Sequence, residues 1–340
     1  MKKTLLAFIA LSVSSSALAG HFEDAYRAYL KGNYKLAFQE WSAADADGDV
    51  ESTFELSVMY RDGEGVPINA TKATLLTAKA AEKGFVPAQF NLANYYRTGA
   101  GTKKDLAAAR RWYLTAAQTG SAEAMHSYAT MLLLGEGGAV DKVGAVEWYE
   151  RAILYEDKDS YYYDLIEKGI LPKPDYPALF KQRRAQAEAG DAEAQFRLAY
   201  MYLRAQGTAR NAAEMERWFL AAANQGHAMA QMRMGNLYKD GFFKTRDLKV
   251  ANGWFRKAAL QGNGFALSTL GLFYAIGGGV SKNEPLGLAL LAIARMRGDP
   301  DATELRIKLA LDMTDADVVT AAVIAKKCQT GGMVSCLPPV

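Results

Sequence analysis

An all-α solenoid of paired helices is the fold this sequence predicts, and three observations carry it. Glycine recurs every 36 residues, at Gly48, Gly84 and Gly120 and again at Gly190, Gly226, Gly262 and Gly298. After all but the last of these glycines, small and large apolar residues recur four apart, the spacing of one helix stripe. Further on, every clear unit places Asn or Asp where a second helix would begin. A fixed period of this size marks an array whose units bury their apolar faces only against their neighbours.

The chain opens on a leader. Lys2 and Lys3 form a short basic start, Leu5 to Val13 is apolar, and Ala17-Leu18-Ala19 is a small-x-small cleavage site. That order reads as a secretory signal peptide over 1–19, cleaved near Ala19 and too short to anchor in a membrane. Gly20 and His21 stand where a lipoprotein would carry cysteine, so a periplasmic or secreted location is expected. No later segment is apolar enough to span a bilayer. Phe22 to Lys31 and Tyr34 to Asp45, broken at Gly32-Asn33, read as a helix pair capping the array over 20–47.

Within 48–298, slots are counted from each leading glycine. Slot 4 is small: Ser52, Ala88, Ala124, Ala194, Ala230 or Ala266. Slot 8 is Leu56, Leu92, Tyr128, Leu198, Met234 or Leu270, and slot 12 is Tyr60, Tyr96, Leu132, Tyr202, Tyr238 or Tyr274. Together they make the buried stripe of a first helix, with the small residue admitting the next helix closely. Slot 15 carries Gly63, Gly99, Gly135, Gly241 or Gly277, expected helix stops because glycine tolerates the left-handed conformation. Slot 21 is Asn69, Asp105, Asp141, Asn211, Asp247 or Asn283, side chains able to cap the free N–H groups of a second helix. Slot 28 holds Trp112, Trp148, Trp218 and Trp254, with Leu76 and Leu290 at the end units, and slot 32 is alanine throughout. This register places Trp112 and Trp254 between units, so Trp254→Ala is expected to cost roughly 3–5 kcal/mol.

The pattern slips once. From Gly120 to Gly190 is two residues short of two periods, and counting back from Gly190 places a degenerate fourth unit at about 154–189. Gly169 and Asp175 keep its loop and cap slots, but Gln182 and Gln186 stand in for Trp and Ala. Its loop, Leu171-Pro172-Lys173-Pro174, is stiffened by proline. Its first helix carries Tyr161, Tyr162 and Tyr163, a residue type common at interface hot spots and here a candidate secondary contact. Over 299–340, Asp299 to Asp312 and Asp315 to Lys327 read as two capping helices, the second N-capped by Thr314. Cys328 and Cys336 flank the Thr330-Gly331-Gly332 turn, which in an oxidising compartment favours a local disulfide. A redox pair or metal site is the other reading, but a zinc site normally needs four ligands and no histidine lies nearby.

Runs such as Ala88-Gln89-Phe90-Asn91-Leu92-Ala93-Asn94-Tyr95-Tyr96 followed by Trp112-Tyr113-Leu114-Thr115-Ala116-Ala117 resemble the Sel-1-like repeat family, relatives of the tetratricopeptide repeat. Leu270-Gly271-Leu272-Phe273-Tyr274 with Gly277-Gly278-Gly279-Val280 carries the same resemblance. It implies a right-handed superhelical solenoid of helix-turn-helix repeats, six clear units and one degenerate, with first helices lining the concave side. In related solenoids that side presents first-helix residues outside the core stripe. Here they are Glu55, Arg61, Asn91, Asn94, Arg97, Arg197, Tyr200, Arg233 and Asn236, expected to contact a partner.

Charge and motifs exclude other classes. Without the leader, 38 basic side chains face 37 acidic ones, a net charge of +1 that gives no global reason to bind nucleic acid. There is no phosphate loop, no G-x-S-x-G elbow, no S-x-x-K and no H-E-x-x-H, and Gly277-Gly278-Gly279 occupies an ordinary loop slot. The three histidines, His21, His126 and His227, sit at a terminus, on a helix face and after a turn. The expectation is a non-enzymatic periplasmic protein-binding array that needs no cofactor or metal. The resemblance implies two jobs: an immunity protein against a periplasm-targeted toxin, such as a phospholipase effector of type VI secretion, or a scaffold for envelope, exopolysaccharide or virulence-factor assembly. A hydrolase of β-lactamase type is the remaining alternative.

Overall fold

A computed structural model describes residues 21–156, 160–242 and 245–338, with eighteen α-helices and no strand among them. The leader expected over 1–19 lies outside the described residues. The helices are α1 (His21–Leu30), α2 (Tyr34–Ala46), α3 (Val50–Asp62), α4 (Ala70–Glu82), α5 (Val86–Thr98), α6 (Leu106–Gln118), α7 (Ala122–Leu134), α8 (Lys142–Glu156) and α9 (Ser160–Glu167). They continue as α10 (Tyr176–Glu188), α11 (Ala192–Arg204), α12 (Ala212–Asn224), α13 (Ala228–Asp240), α14 (Leu248–Leu260), α15 (Gly264–Ile276), α16 (Glu284–Met296), α17 (Ala302–Leu311) and α18 (Asp315–Gly331). From α1 to α8 and from α10 to α15 each helix packs on the next across a short loop, the pattern of an α solenoid.

Each unit closes by one repeated device. The slot 21 side chain accepts from the N–H three residues on, as from Asp105 to Ala108 (2.9 Å) and from Asn283 to Leu286 (3.0 Å). The same residue's backbone N–H donates to the slot 12 carbonyl, Asp105 to Tyr96 and Asp247 to Tyr238 among them. One residue therefore starts the second helix and ties it to the end of the first. The slot 15 glycines end first helices with φ between 67° and 82°, and in the fifth unit Ala205 holds the same conformation at φ 56°.

A second glycine, two residues further on, sets the distance between units. A Cβ on Gly101 would overlap the carbonyl of Ala70, the first residue of the preceding second helix. Gly137 meets Leu106, Gly207 meets Tyr176 and Gly279 meets Leu248 in the same way. Only a residue without a side chain lets each loop sit on the helix start before it.

The second helices correct the tryptophan expectation. Their fully buried aromatics are one position on, Tyr113, Tyr149, Phe219 and Phe255, while Trp112, Trp148 and Trp254 are only half-buried and Trp218 alone is buried. The buried stripe runs through slots 25, 29, 32 and 33, as in Ala251, Phe255, Ala258 and Ala259, so slot 28 lies about 100° of helix rotation to one side. There the indoles meet cations: Lys257 lies 4.2 Å from the Trp254 ring centre and Arg151 4.7 Å from that of Trp148.

The chain divides into two compact units. The first runs to Leu165 and takes up Arg295–Val323; the second is Ile166–Ala294 with the chain from Ile324. The division falls in the degenerate fourth repeat, whose first helix α9 has only 8 residues and whose second, α10, fully buries only Ala187. In the second unit Cys328 and Cys336 are joined, closing the end of α18 onto the short turn Met333–Ser335.

Phe255→Ala is expected to cost about 3–5 kcal/mol and Trp254→Ala about 1–2 kcal/mol, because only the first leaves a sealed cavity. Urea midpoints of the two variants check this, and equal losses would restore the tryptophan slot as the core position.

Candidate protein-interaction site

The nine first-helix residues expected to face a partner do not form one exposed surface. In the first unit, Glu55 is buried at 9 % exposure and accepts from Arg295 Nη2. Arg61 is exposed and pairs with its neighbour Asp62 at 2.6 Å. Asn91, Asn94 and Arg97 follow one another along a single face of α5, each partly exposed. Asn94 Oδ1 accepts from the Tyr113 hydroxyl (2.5 Å), and Arg97 Nε donates to Glu136 (2.8 Å). That hydrogen bond raises the Arg97 pKa above the usual arginine range, against the opposing effect of burial. Both side chains are thus held in place while keeping part of their surface in solvent.

Beside them is an open recess of about 310 Å³. Val86, Pro87, Phe90 and Pro300 supply apolar walls, and Asn91 and Glu123 stand among its polar lining. Gly298 comes so close to Val86 at this point that a Cβ could not fit without a shift. The chain from Arg295 onward therefore forms part of the recess wall, which no local pattern in the sequence announces.

The same return of the chain explains Glu55. Arg306, on α17, donates to Glu23 on α1 and to Glu51 on α3. Arg295, in the last turn of α16, donates to Glu55 and lies 3.5 Å from Glu51. Burial pushes the Glu23 carboxyl above its ordinary range, although Arg306 acts the other way. Slot 7 was expected to face a groove; in the first unit it is covered by the chain's own arginines.

In the second unit Arg197 and Tyr200 are buried as well, at 9 % and 2 % exposure. Arg197 Nε donates to Glu193 (2.5 Å), whose other oxygen meets His227 Nε2 at 2.9 Å. His227 stacks on Phe196, and the Tyr200 ring stands edge-on to Phe196 and Phe219. Arg233 lies 5.3 Å from the Tyr200 ring centre, and Asn236 Nδ2 is 3.3 Å from Met232 Sδ. The contacts of His227 with Glu193 and Phe196 and of Arg233 with Tyr200 join neighbouring repeats, whereas Asn236 and Met232 belong to one helix. His227, read from sequence as a turn histidine, is also the N-cap of α13 through Nδ1.

The tyrosine run of the degenerate repeat divides. Tyr162 is buried against Tyr149 at 5.8 Å, while Tyr161 and Tyr163 stay exposed at 43 % and 37 %. Tyr161 also meets the His126 ring at 5.1 Å.

Comparison with known proteins agrees with the repeat register. The family model described as Sel1 repeat matches residues 50–85, 86–121, 122–154, 192–227, 228–263 and 265–299, leaving the degenerate stretch unmatched. No curated protein matched the chain in sequence. Among solved structures, c5321, a protective antigen of uropathogenic Escherichia coli displaying an SLR fold, is 27% identical with a TM-score of 0.46, covering 93% of this chain and 68% of its own. A Sel1 repeat protein from Oxalobacter formigenes is 25% identical with a TM-score of 0.36, over 79% of this chain and 94% of that one. The immunity protein Pa5087 from Pseudomonas aeruginosa is 17% identical with a TM-score of 0.27, over 77% and 83%.

The Glu193 group gives a pH test. Its hydrogen bond with His227, opposed by burial and reinforced by Arg197, lowers the carboxyl to about 2. A carboxyl lowered on folding contributes stability above its unfolded pKa of about 4.5 and loses it as pH falls from there towards 2. Glu193→Gln is expected to lower the urea midpoint at pH 6 and to match the parent near pH 2. A difference that persists unchanged at pH 2 would show that the charge is not what matters. The effect is modest because Glu193 is 47% exposed.

Proposed function

The chain belongs to the Sel1 repeat family, and from that premise we propose that it acts outside the cytoplasm by binding another protein, with the recess beside α5 as the anchor. Repeat arrays of this kind typically serve as non-enzymatic interaction scaffolds, because stacked helix pairs offer an extended preformed surface. A preformed surface spares the ordering cost that a flexible binder incurs on association.

The recess is the observation that supports this reading. It has apolar walls that suit a buried side chain, a polar lining to orient it, and Asn94 and Arg97 further along the same helix face. Interface anchors commonly take that form, an apolar pocket ringed by hydrogen-bonding groups. The Cys328–Cys336 bond and the leader composition support an oxidising compartment such as the periplasm. Among the described residues, no helix is long and apolar enough to cross a membrane.

Of the jobs open to such a binder, inhibition of a toxin delivered to that compartment comes first, and service as an envelope-assembly scaffold is the alternative. Stoichiometry separates them. An inhibitor forms a tight one-to-one complex and abolishes its partner's toxicity; a scaffold holds several components without silencing any.

The test immobilises residues 20–340 and the Asn91→Ala, Arg97→Ala double variant on parallel columns, then passes periplasmic and secreted fractions over both. One protein is expected to bind stoichiometrically to the parent and at least ~10-fold less to the variant, roughly the 1.4 kcal/mol that a tenfold change represents. Equal retention on both columns would rule out the recess and the α5 face as the anchor.

A further inference from the structure

Five charged side chains are buried together in the first unit: Glu23, Glu51, Glu55, Arg295 and Arg306. The carboxylates come from α1 and α3, and both guanidiniums come from a stretch of chain about 240 to 283 residues later. Arg306 lies 4.2 Å from the Phe22 ring centre, and Arg295 lies 5.5 Å from those of Phe22 and Phe85. Carboxylates in fork geometry beside an aromatic face are what recognises a guanidinium.

Three further facts describe the fit. Charge is unequal, three carboxylates against two guanidiniums, and Glu23 Oε2 has no hydrogen-bond partner although Glu23 is 7% exposed. A cavity of about 20 Å³ lies between Phe22, Glu23, Tyr26, Arg306 and Ala310, room for one water molecule. The segment that supplies the arginines adds apolar surface at its start, where Met296 packs against the cluster of Phe54, Phe85 and Leu92, and Arg27 Nη2 donates to its Ala310 carbonyl (2.8 Å). Helix α17 buries only Ala302, Arg306 and Ala310 and leaves Leu311 58% exposed. Helix α17 is thus held largely through the charge of Arg306, and because a buried ion pair adds little net stability the helix belongs to the low end of local stability within its unit.

We propose that Phe22, Glu23, Glu51 and Glu55 form an arginine-recognition site that the chain's own residues 295–311 fill in cis, and that an arginine-bearing segment of a protein partner engages it by displacing them. The class of partner rests on the protein-binding reading above; the site and its exchangeable occupant do not. Release of 295–311 also opens one wall of the recess beside α5, because Arg295 lines both.

The test needs no unidentified partner. A fluorescein-labelled peptide with the sequence of residues 295–311 is titrated by fluorescence anisotropy into the full chain and into its Arg306→Ala variant. Hydrogen exchange follows residues 299–311 and 192–290 in both. The variant is expected to exchange faster over 299–311 alone and to bind the peptide at least ~10-fold more tightly than the parent, since its site is open a larger fraction of the time. A peptide with Arg295 and Arg306 replaced by alanine is expected not to bind. Unchanged exchange over 299–311 would overturn the proposal, as would failure of the opened variant to bind the peptide, or equal binding of the arginine-free peptide. If Arg306→Ala loses its helical signal, Arg306→Lys, which keeps the charge but not the fork, is read under the same criteria. Failure here leaves the capture experiment standing, and failure of that capture leaves this site standing.

Discussion

Five of the six clear repeats depend on a contact that only glycine permits. In each of the repeats closed by Gly65, Gly101, Gly137, Gly207 and Gly279, the interhelix loop rests on the first residue of the second helix before it. Because the backbone itself is the contact surface, the separation of neighbouring units is fixed without reference to side-chain size. The aromatic of slot 29 is fully buried there, as Tyr113, Tyr149, Phe219 or Phe255. The slot 21 cap holds the loop in the shape that brings the glycine down, through its hydrogen bond to the slot 12 carbonyl. Loop, cap and core are therefore parts of one mechanism.

Much of this was legible because a solenoid writes its contacts at fixed spacing. The six cap residues are all where the period puts them, and the stripe of Ala88 and Leu92 is buried as expected. The degenerate repeat showed itself by losing Trp and Ala at Gln182 and Gln186, and its second helix indeed buries little. What spacing could not separate was slot 28 from slot 29. Both are aromatic in most units, and the larger residue drew the inference although its neighbour lies at the stripe's centre. The seating glycines are less regular, with Gly65, Gly101 and Gly137 36 residues apart but Gly207 and Gly279 72 apart and Phe243 in the slot between them, and they lie in loops, where helix periodicity carries no signal.

The binding face was the least legible part, for a physical reason. Slot arithmetic describes contacts between neighbours in the array, and the closure of the first unit is not such a contact. Arg295 and Arg306 reach Glu23, Glu51 and Glu55 across most of the chain's length, so no local pattern marks Glu55 as covered. In the second unit Arg197 is taken up by Glu193 and Tyr200 by Phe196, partners that lie outside the repeated slots. Of the residues that keep surface in solvent, Asn91, Asn94 and Arg97 share one helix face beside a recess whose far wall is the returning chain. The proposed interaction surface and the chain's own closure thus meet at Arg295.

The most direct check of the account is to compare Gly101→Ala with Gly84→Ala by urea denaturation. Both glycines have positive φ, but a Cβ at Gly84 meets nothing within 4 Å, whereas one at Gly101 collides with Ala70. If backbone seating sets the spacing of units, Gly84→Ala loses about 1–2 kcal/mol for its left-handed conformation alone. Gly101→Ala then loses at least about 2 kcal/mol more, in the range of overpacking a closed contact. Equal losses would mean that the glycines serve only to turn the chain, and that the separation of repeats is set elsewhere.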